Sequence, residues 1–224
     1  TTLRGNLPER KEMLSFAVNS NFSGMVTTLA RDSEVLWVSY FFDTSVAGYF
    51  KVAQAVINLV VMPITPFIST TFPEITRHVA RREWNRLKQL LIRVTTVSGA
   101  WTGTVAAGLL LLGRQLLFSP WMLFGRTIYI YKEAYAPAFA VLMVLMVGYG
   151  IANTFYWDRS LLLAFGRAEL PLRVSFLAML GKIGLAFLIV PVLGYLSEAA
   201  LLSAYFVVTV SILVWKGLAE IRHQ

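Results

Sequence analysis

The stretch that most constrains this chain is residues 13–42, MLSFAVNSNFSGMVTTLARDSEVLWVSYFF, long enough as a helix to cross a bilayer yet carrying Arg31, Asp32 and Glu34 well inside it. Hydrocarbon excludes bare charges, so such residues turn toward a bundle interior or an aqueous cavity. At about 100° per residue, Ser20, Ser23, Thr27, Arg31 and Glu34 fall on one stripe. Asn21, Thr28, Asp32 and Ser39 fall on a second stripe beside it, and Val18, Phe22, Met25, Val26, Leu29 and Leu36 gather opposite. The pattern predicts a spanning helix with lipid on one side and a polar surface on the other, the wall of a transport pathway.

Composition agrees. The 224 residues are 57% hydrophobic and 14% charged, with a mean hydropathy of +0.64, which marks a polytopic membrane protein rather than a soluble domain. The absence of cysteine excludes disulfides and thiol catalysis. His78 and His223, the only 2 histidines, stand in basic surroundings and do not suggest a metal site. The net charge of +8 comes from basic residues clustered between apolar spans, which points to positive-inside topology and anionic lipid instead of nucleic acid. TTLRGNLPERKEM is polar and precedes a span too long for a signal peptide. Without an initiating Met, the chain reads as cut from something longer.

Windows of about 20 apolar residues give six spans, residues 13–42, 46–75, 94–118, 134–156, 172–192 and 199–218, forming one all-α bundle. In the second, Lys51, Gln54, Asn58, Thr65 and Ser69 repeat the polar wall of the first, and Pro63 and Pro66 predict a bend that would serve as a hinge. Residues 77–93 are arginine-rich, with Val79, Leu87, Leu90 and Leu91 along one edge, and are expected to lie on the membrane surface as an amphipathic helix. They lack the aromatic or glycine motif of a nucleic-acid module. Gly99, Gly103 and Gly108 of the third span offer close helix contacts. The Trp- and Tyr-rich connection after it suits the headgroup region. The fourth span carries Tyr149, Asn153 and Tyr156 at helical spacing before Trp157, Asp158 and Arg159, the last two expected at the cytoplasmic edge. Lys182 lies about ten residues, roughly 15 Å, from either end of the fifth span, too deep to reach water along its own stem, so it is expected to point into the bundle.

Orientation follows from the basic residues. The amino-terminal segment (Arg4, Arg10, Lys11), residues 77–93, the loop with Arg159, Arg167 and Arg173, and the tail with Lys216 and Arg222 hold most of the 20 Lys and Arg. Only Lys51, Arg114, Arg126 and Lys132 lie on the other side, which places both termini in the cytoplasm.

The order Asp32, Gly48-Tyr49, Pro63, Phe72-Pro73 within SEVLWVSYFFDTSVAGYFKVAQAVINLVVMPITPFISTTFPEITR resembles a segment of the polysaccharide and lipid-linked oligosaccharide flippases, relatives of the multidrug and toxin extruders. LFGRTIYIYKEAYAPAFAVLMVL and LLLAFGRAELPLRVS resemble that family's following loops. The resemblance implies two six-helix bundles facing each other across a cavity, of which this chain is similar to the second, its amino-terminal partner missing. It further implies that a complete member flips a polyprenyl-diphosphate-linked glycan across the cytoplasmic membrane by alternating access.

The chemistry of the residues is compatible with that role. A diphosphate and sugars cannot cross hydrocarbon bare. Arg31 and Lys182 would hold the diphosphate, Arg bidentately and Lys as a point charge. Gln54, Asn58, Tyr149 and Asn153 would meet sugar hydroxyls, and Asp32, Glu34 or Asp158 would bind a coupling proton or Na+, with no cofactor or metal otherwise expected. The same residues also suit a self-neutralising ion-pair cluster joining Lys182 to the first-helix carboxylates, with Gln54 and Asn58 as interhelical glue. Two other functions fit less well. A multidrug extruder of this architecture would favour an acidic cavity, and a glycan-assembly enzyme would want paired acids on a sizeable loop. The chain is therefore expected not to be an enzyme. An accessory bundle is the remaining alternative.

Overall fold

In a computed structural model that describes residues 10–123 and 126–222, the chain is an all-α polytopic membrane protein with one short hairpin. Arg4 and His223 lie outside the described residues, as do the side chains of Arg10, Lys11 and Arg126. Five helical stretches are long and apolar enough to cross a membrane: Thr44–Val61, Trp84–Phe118, Ala138–Ala164, Glu169–Leu193 and Tyr195–Arg222. The first helix is not among them, because its two polar stripes dilute its hydropathy. It divides at Ser33 into α1 (Arg10–Asp32) and α2 (Glu34–Phe41). Its apolar face, Val18, Phe22, Met25, Leu29 and Leu36, is exposed, while Val26 is buried.

The bend expected at Pro63 is a complete break. α3 (Thr44–Val61) is capped by Asp43, whose carboxylate accepts from the Ser45 and Val46 amides, and α4 (Thr65–Ala80) begins with Pro66 in its first turn, where no amide donor is needed. Residues 77–93, expected as an amphipathic surface helix, do not form a separate helix. Residues 77–80 finish α4, Arg82 takes a left-handed φ of 56°, and α5 (Trp84–Gly108) starts at once. The supposed surface edge is core: Leu87 and Leu91 pack with Ile75, Trp157, Leu161 and Ile221. The apolar positions spaced for a headgroup interface found protein partners first.

α5 continues through a π segment (Leu109–Gly113) into α6 (Arg114–Phe118). A hairpin follows, with β1 (Trp121–Leu123) antiparallel to β2 (Arg126–Ile128). The fourth span is α7 (Ala138–Thr154) and α8 (Asp158–Ala164), separated at residues 155–157. α9 (Glu169–Leu193) and α10 (Tyr195–Arg222) complete the chain.

The main core joins α2, α3, α7 and α10 through Val38, Phe50, Ile57, Leu142, Leu145 and Leu202. α7 and α10 touch most closely at Gly148, where a Cβ would stand 2.5 Å from the Ser203 Cα. Ser203 donates its hydroxyl to the Val144 carbonyl at 2.6 Å, so a polar bond is added where the backbones nearly meet. Of the glycines expected to make close contacts in the third span, Gly99 lies against Thr154, but a Cβ at Gly103 or Gly108 would meet nothing within 4 Å.

Candidate functional site

The inner face of α1 presents Thr27, Thr28 and Arg31 to a cavity of about 350 Å³. The opposite wall comes from the Tyr149 and Asn153 stripe of α7, which continues past the helix break to Tyr156 and to Asp158, Arg159 and Ser160 of α8. α9 adds Ser175, and α10 adds Tyr205, Phe206 and Thr209.

Side chains of α5 fix the break that shapes this wall. Ser98 Oγ donates to the Thr154 carbonyl at 2.9 Å, Trp157 Nε1 donates to Thr95 Oγ1 at 2.7 Å, and Asn153 Nδ2 donates to Thr102 Oγ1 at 2.8 Å. Buried backbone and side-chain groups at a helix end need such partners. Tyr149 is buried with its ring 4.7 Å from that of Phe206, and Tyr156 shares a 2.9 Å hydrogen bond with Thr71 of α4.

Two guanidinium groups reach the cavity. Arg31 donates from Nε to Asp32 Oδ1 at 2.7 Å, with side-chain exposures of 43% and 58%. A second contact runs from Nη2 to Asp32 Oδ2 at 3.4 Å, and so open a pair adds little stability. Arg159 donates from Nη2 to the Ser20 carbonyl at 2.6 Å, beside Gly24. It also lines a second, larger groove of about 980 Å³ between α1 and α9, walled by Phe22, Met25, Leu29, Leu172 and Phe176 and bordered by Asp32. Val61, Ile68, Val210 and Leu213 make part of the first cavity's lining apolar, and Arg159 and Thr28 belong to both spaces, so the cavity and the groove share one wall.

Lys182 is elsewhere. Its expected depth is right, but the ammonium is sealed between Glu34 of α2, to which it donates, and Glu198 of α10 at 3.3 Å, with side-chain exposures of 3%, 0% and 0%. It also donates to the Ala30 carbonyl at 3.4 Å. The expectation of two cations in one hydrated groove is therefore replaced by Arg31 at the cavity and Lys182 in a closed ion cluster. Packing explains the difference: a buried ammonium finds the nearest carboxylates, and two lie within reach on neighbouring helices.

The polar second-span residues do not line the cavity either, though Val61 and Ile68 of that span do. Gln54 is half-buried and donates to the Arg31 carbonyl at 3.3 Å, an interhelical tie, while Lys51, Asn58, Thr65 and Ser69 are exposed on the outer face. Asp158 is buried at the cavity, accepting from the Arg159 amide, instead of lying at an exposed cytoplasmic edge. Sequence reasoning missed Arg159 and Tyr205 as cavity residues. Ser160 was legible, because 149, 153, 156 and 160 continue one helical stripe.

Fold and site together define a polytopic membrane protein whose bundle carries an open, arginine-bearing cavity next to an apolar groove. The family described as polysaccharide biosynthesis protein matches residues 1–121, more than half of the chain, and the chain belongs to that polysaccharide biosynthesis and flippase family. The matched part carries Arg31, while Tyr149, Asn153, Asp158, Arg159 and Lys182 lie beyond it. No curated protein and no solved structure matches the chain.

Proposed function

We propose that this bundle is half of a flippase that carries polyprenyl-diphosphate-linked oligosaccharide across the cytoplasmic membrane by alternating access. The observation that carries this reading is the wall shared by a cavity bearing Arg31 and Arg159 and a groove lined by Phe22, Leu29, Leu172 and Phe176. A lipid-linked diphosphate has the same two-part chemistry. Its anionic oxygens suit guanidinium forks, its sugars suit Tyr149, Asn153 and Thr27, and its tail suits the apolar side. Six crossings are counted with α1–α2 as the amphipathic first, both termini on the basic cytoplasmic side. The exposed stripe of Asn21, Thr28 and Asp32 is the face offered to an amino-terminal bundle. The bundle acts as a carrier in this reading, with no catalytic step assigned to it.

The test is surface glycan in cells carrying the complete protein with Arg31→Ala or Arg159→Ala at unchanged membrane abundance. Loss of export in both supports the reading. Normal glycan with lost resistance to cationic drugs would favour an extruder instead, and normal glycan in both variants would remove the binding role.

A further inference from the structure

We propose that Glu34, Lys182 and Glu198 together hold one proton at neutral pH, as an enclosed, charge-neutral cluster. The three side chains come from α2, α9 and α10 and are almost wholly enclosed. Lys182 donates to Glu34 Oε1 and lies 3.3 Å from Glu198 Oε1. Glu34 Oε2 and Glu198 Oε2 have no hydrogen-bond partner among the described residues, and Glu198 Oε1 has only the Lys182 ammonium at 3.3 Å. Two carboxylates facing one ammonium leave one negative charge unbalanced where water is excluded, and an uncompensated buried charge is strongly unfavourable. A single proton passing from water to a Glu198 oxygen forms one O–H bond, brings the cluster to neutrality and supplies the donor that its orphan oxygens lack. A sodium ion does not fit the same place, because the Lys182 ammonium already occupies the position between the carboxylates.

The surroundings leave the charge balance to these three groups. α1 contributes the Ala30 carbonyl, while Arg31 is turned to Asp32. From α3 and α10, Tyr49 and Tyr195 face each other at 6.2 Å, and Tyr149 of α7 faces the cavity. The cluster lies beside the break that divides the first helix. Ala30 and Glu34 touch it from either side of the Ser33 break, and Arg31 between them faces the cavity, so one short segment connects proton site and anion site. Where the proton binds does not rest on the flippase reading.

The experiment is infrared difference spectroscopy of the full chain in lipid nanodiscs, with the glutamate carboxyls isotope-labelled. The expected result at neutral pH is a protonated-carboxyl C=O band that shifts in D2O and with the glutamate label. Labelling glutamate alone separates it from Asp158. The band should vanish in Glu198→Gln and persist in Asp158→Asn. Should Glu198→Gln fail to accumulate, the labelled wild-type spectrum still decides. No glutamate-derived protonated band at any pH where the chain stays folded, or a band unchanged in both Glu34→Gln and Glu198→Gln, would overturn the proposal. A band present in a protein that exports no glycan supports the proton site and removes the flippase reading instead.

Discussion

Arg159 of α8 donates to the carbonyl of Ser20 in α1, 139 residues earlier, at 2.6 Å. This bond ties α8 to α1 at the place where cavity and groove meet, with the guanidinium lying beside Gly24.

Arg159→Lys is expected to keep the charge but not both tasks, since an ammonium lacks the rigid fork. Losing one charge-assisted hydrogen bond, about 1.5–3 kcal/mol, corresponds to roughly ten- to a hundredfold weaker export. The check is a flipping assay with a labelled lipid-linked sugar, compared at equal protein. Equal rates for Lys and Arg would reduce the residue to a point charge.

At Gly148 and Gly103 the same substitution should have opposite signs. Gly148→Ala forces a Cβ against the Ser203 backbone and is expected to destabilise by about 1–3 kcal/mol. Gly103→Ala meets nothing within 4 Å and is expected to stabilise by up to about 1 kcal/mol through helix propensity. Thermal unfolding in detergent distinguishes them, with Tm falling for the first and level or higher for the second.

Breaking the ion cluster on one side should cost more than removing it. Lys182→Met leaves two enclosed carboxylates without their cation and is expected to lose about 3–5 kcal/mol, whereas combining it with Glu34→Gln and Glu198→Gln recovers most of that loss. Folded yield and Tm across the series give the answer. A triple variant as unstable as the single would show that packing, not charge, holds these helices.

The turn between α4 and α5 should be acid-labile. His78 Nδ1 lies 2.8 Å from Glu83 Oε2, and this hydrogen bond holds the Glu83 carboxyl below the usual glutamate value. A carboxyl depressed in the folded state stabilises above its unfolded value, about 4.3, and loses that contribution as pH falls through the lower folded value. The protection of amides at residues 81–84 relative to their intrinsic exchange rate is expected to fall below roughly pH 4. In His78→Ala the onset should move up toward the ordinary glutamate range.

Much of this architecture is legible in the residues alone, because a membrane forces long apolar runs and those runs are visible without knowing their neighbours. The inward stripe of α1 and the depth of Lys182 follow from helical spacing. The partner of Lys182 does not, since Glu198 belongs to another helix and only packing brings it near. Arg159 was equally hidden: a basic residue after an apolar span reads as a membrane edge until α8 is seen to pack against α10 and α4. The left-handed Arg82 turn had no glycine to announce it, and so residues 77–93 read as one helix.

The π segment at Leu109–Gly113 holds one residue more than an α-turn would, which rotates everything after it by about 100°. Leu110, Leu111 and Leu112 thereby look outward while Phe118 is brought in among Val52 and Ala138. Deleting one of those leucines would let the turn close into ordinary α-helix with Phe118 still in its pocket, whereas deleting a residue from α5 ahead of the bulge would swing the earlier part of the helix by about 100° relative to Phe118 and the hairpin. The phase of the far end of this span is set by a single surplus residue.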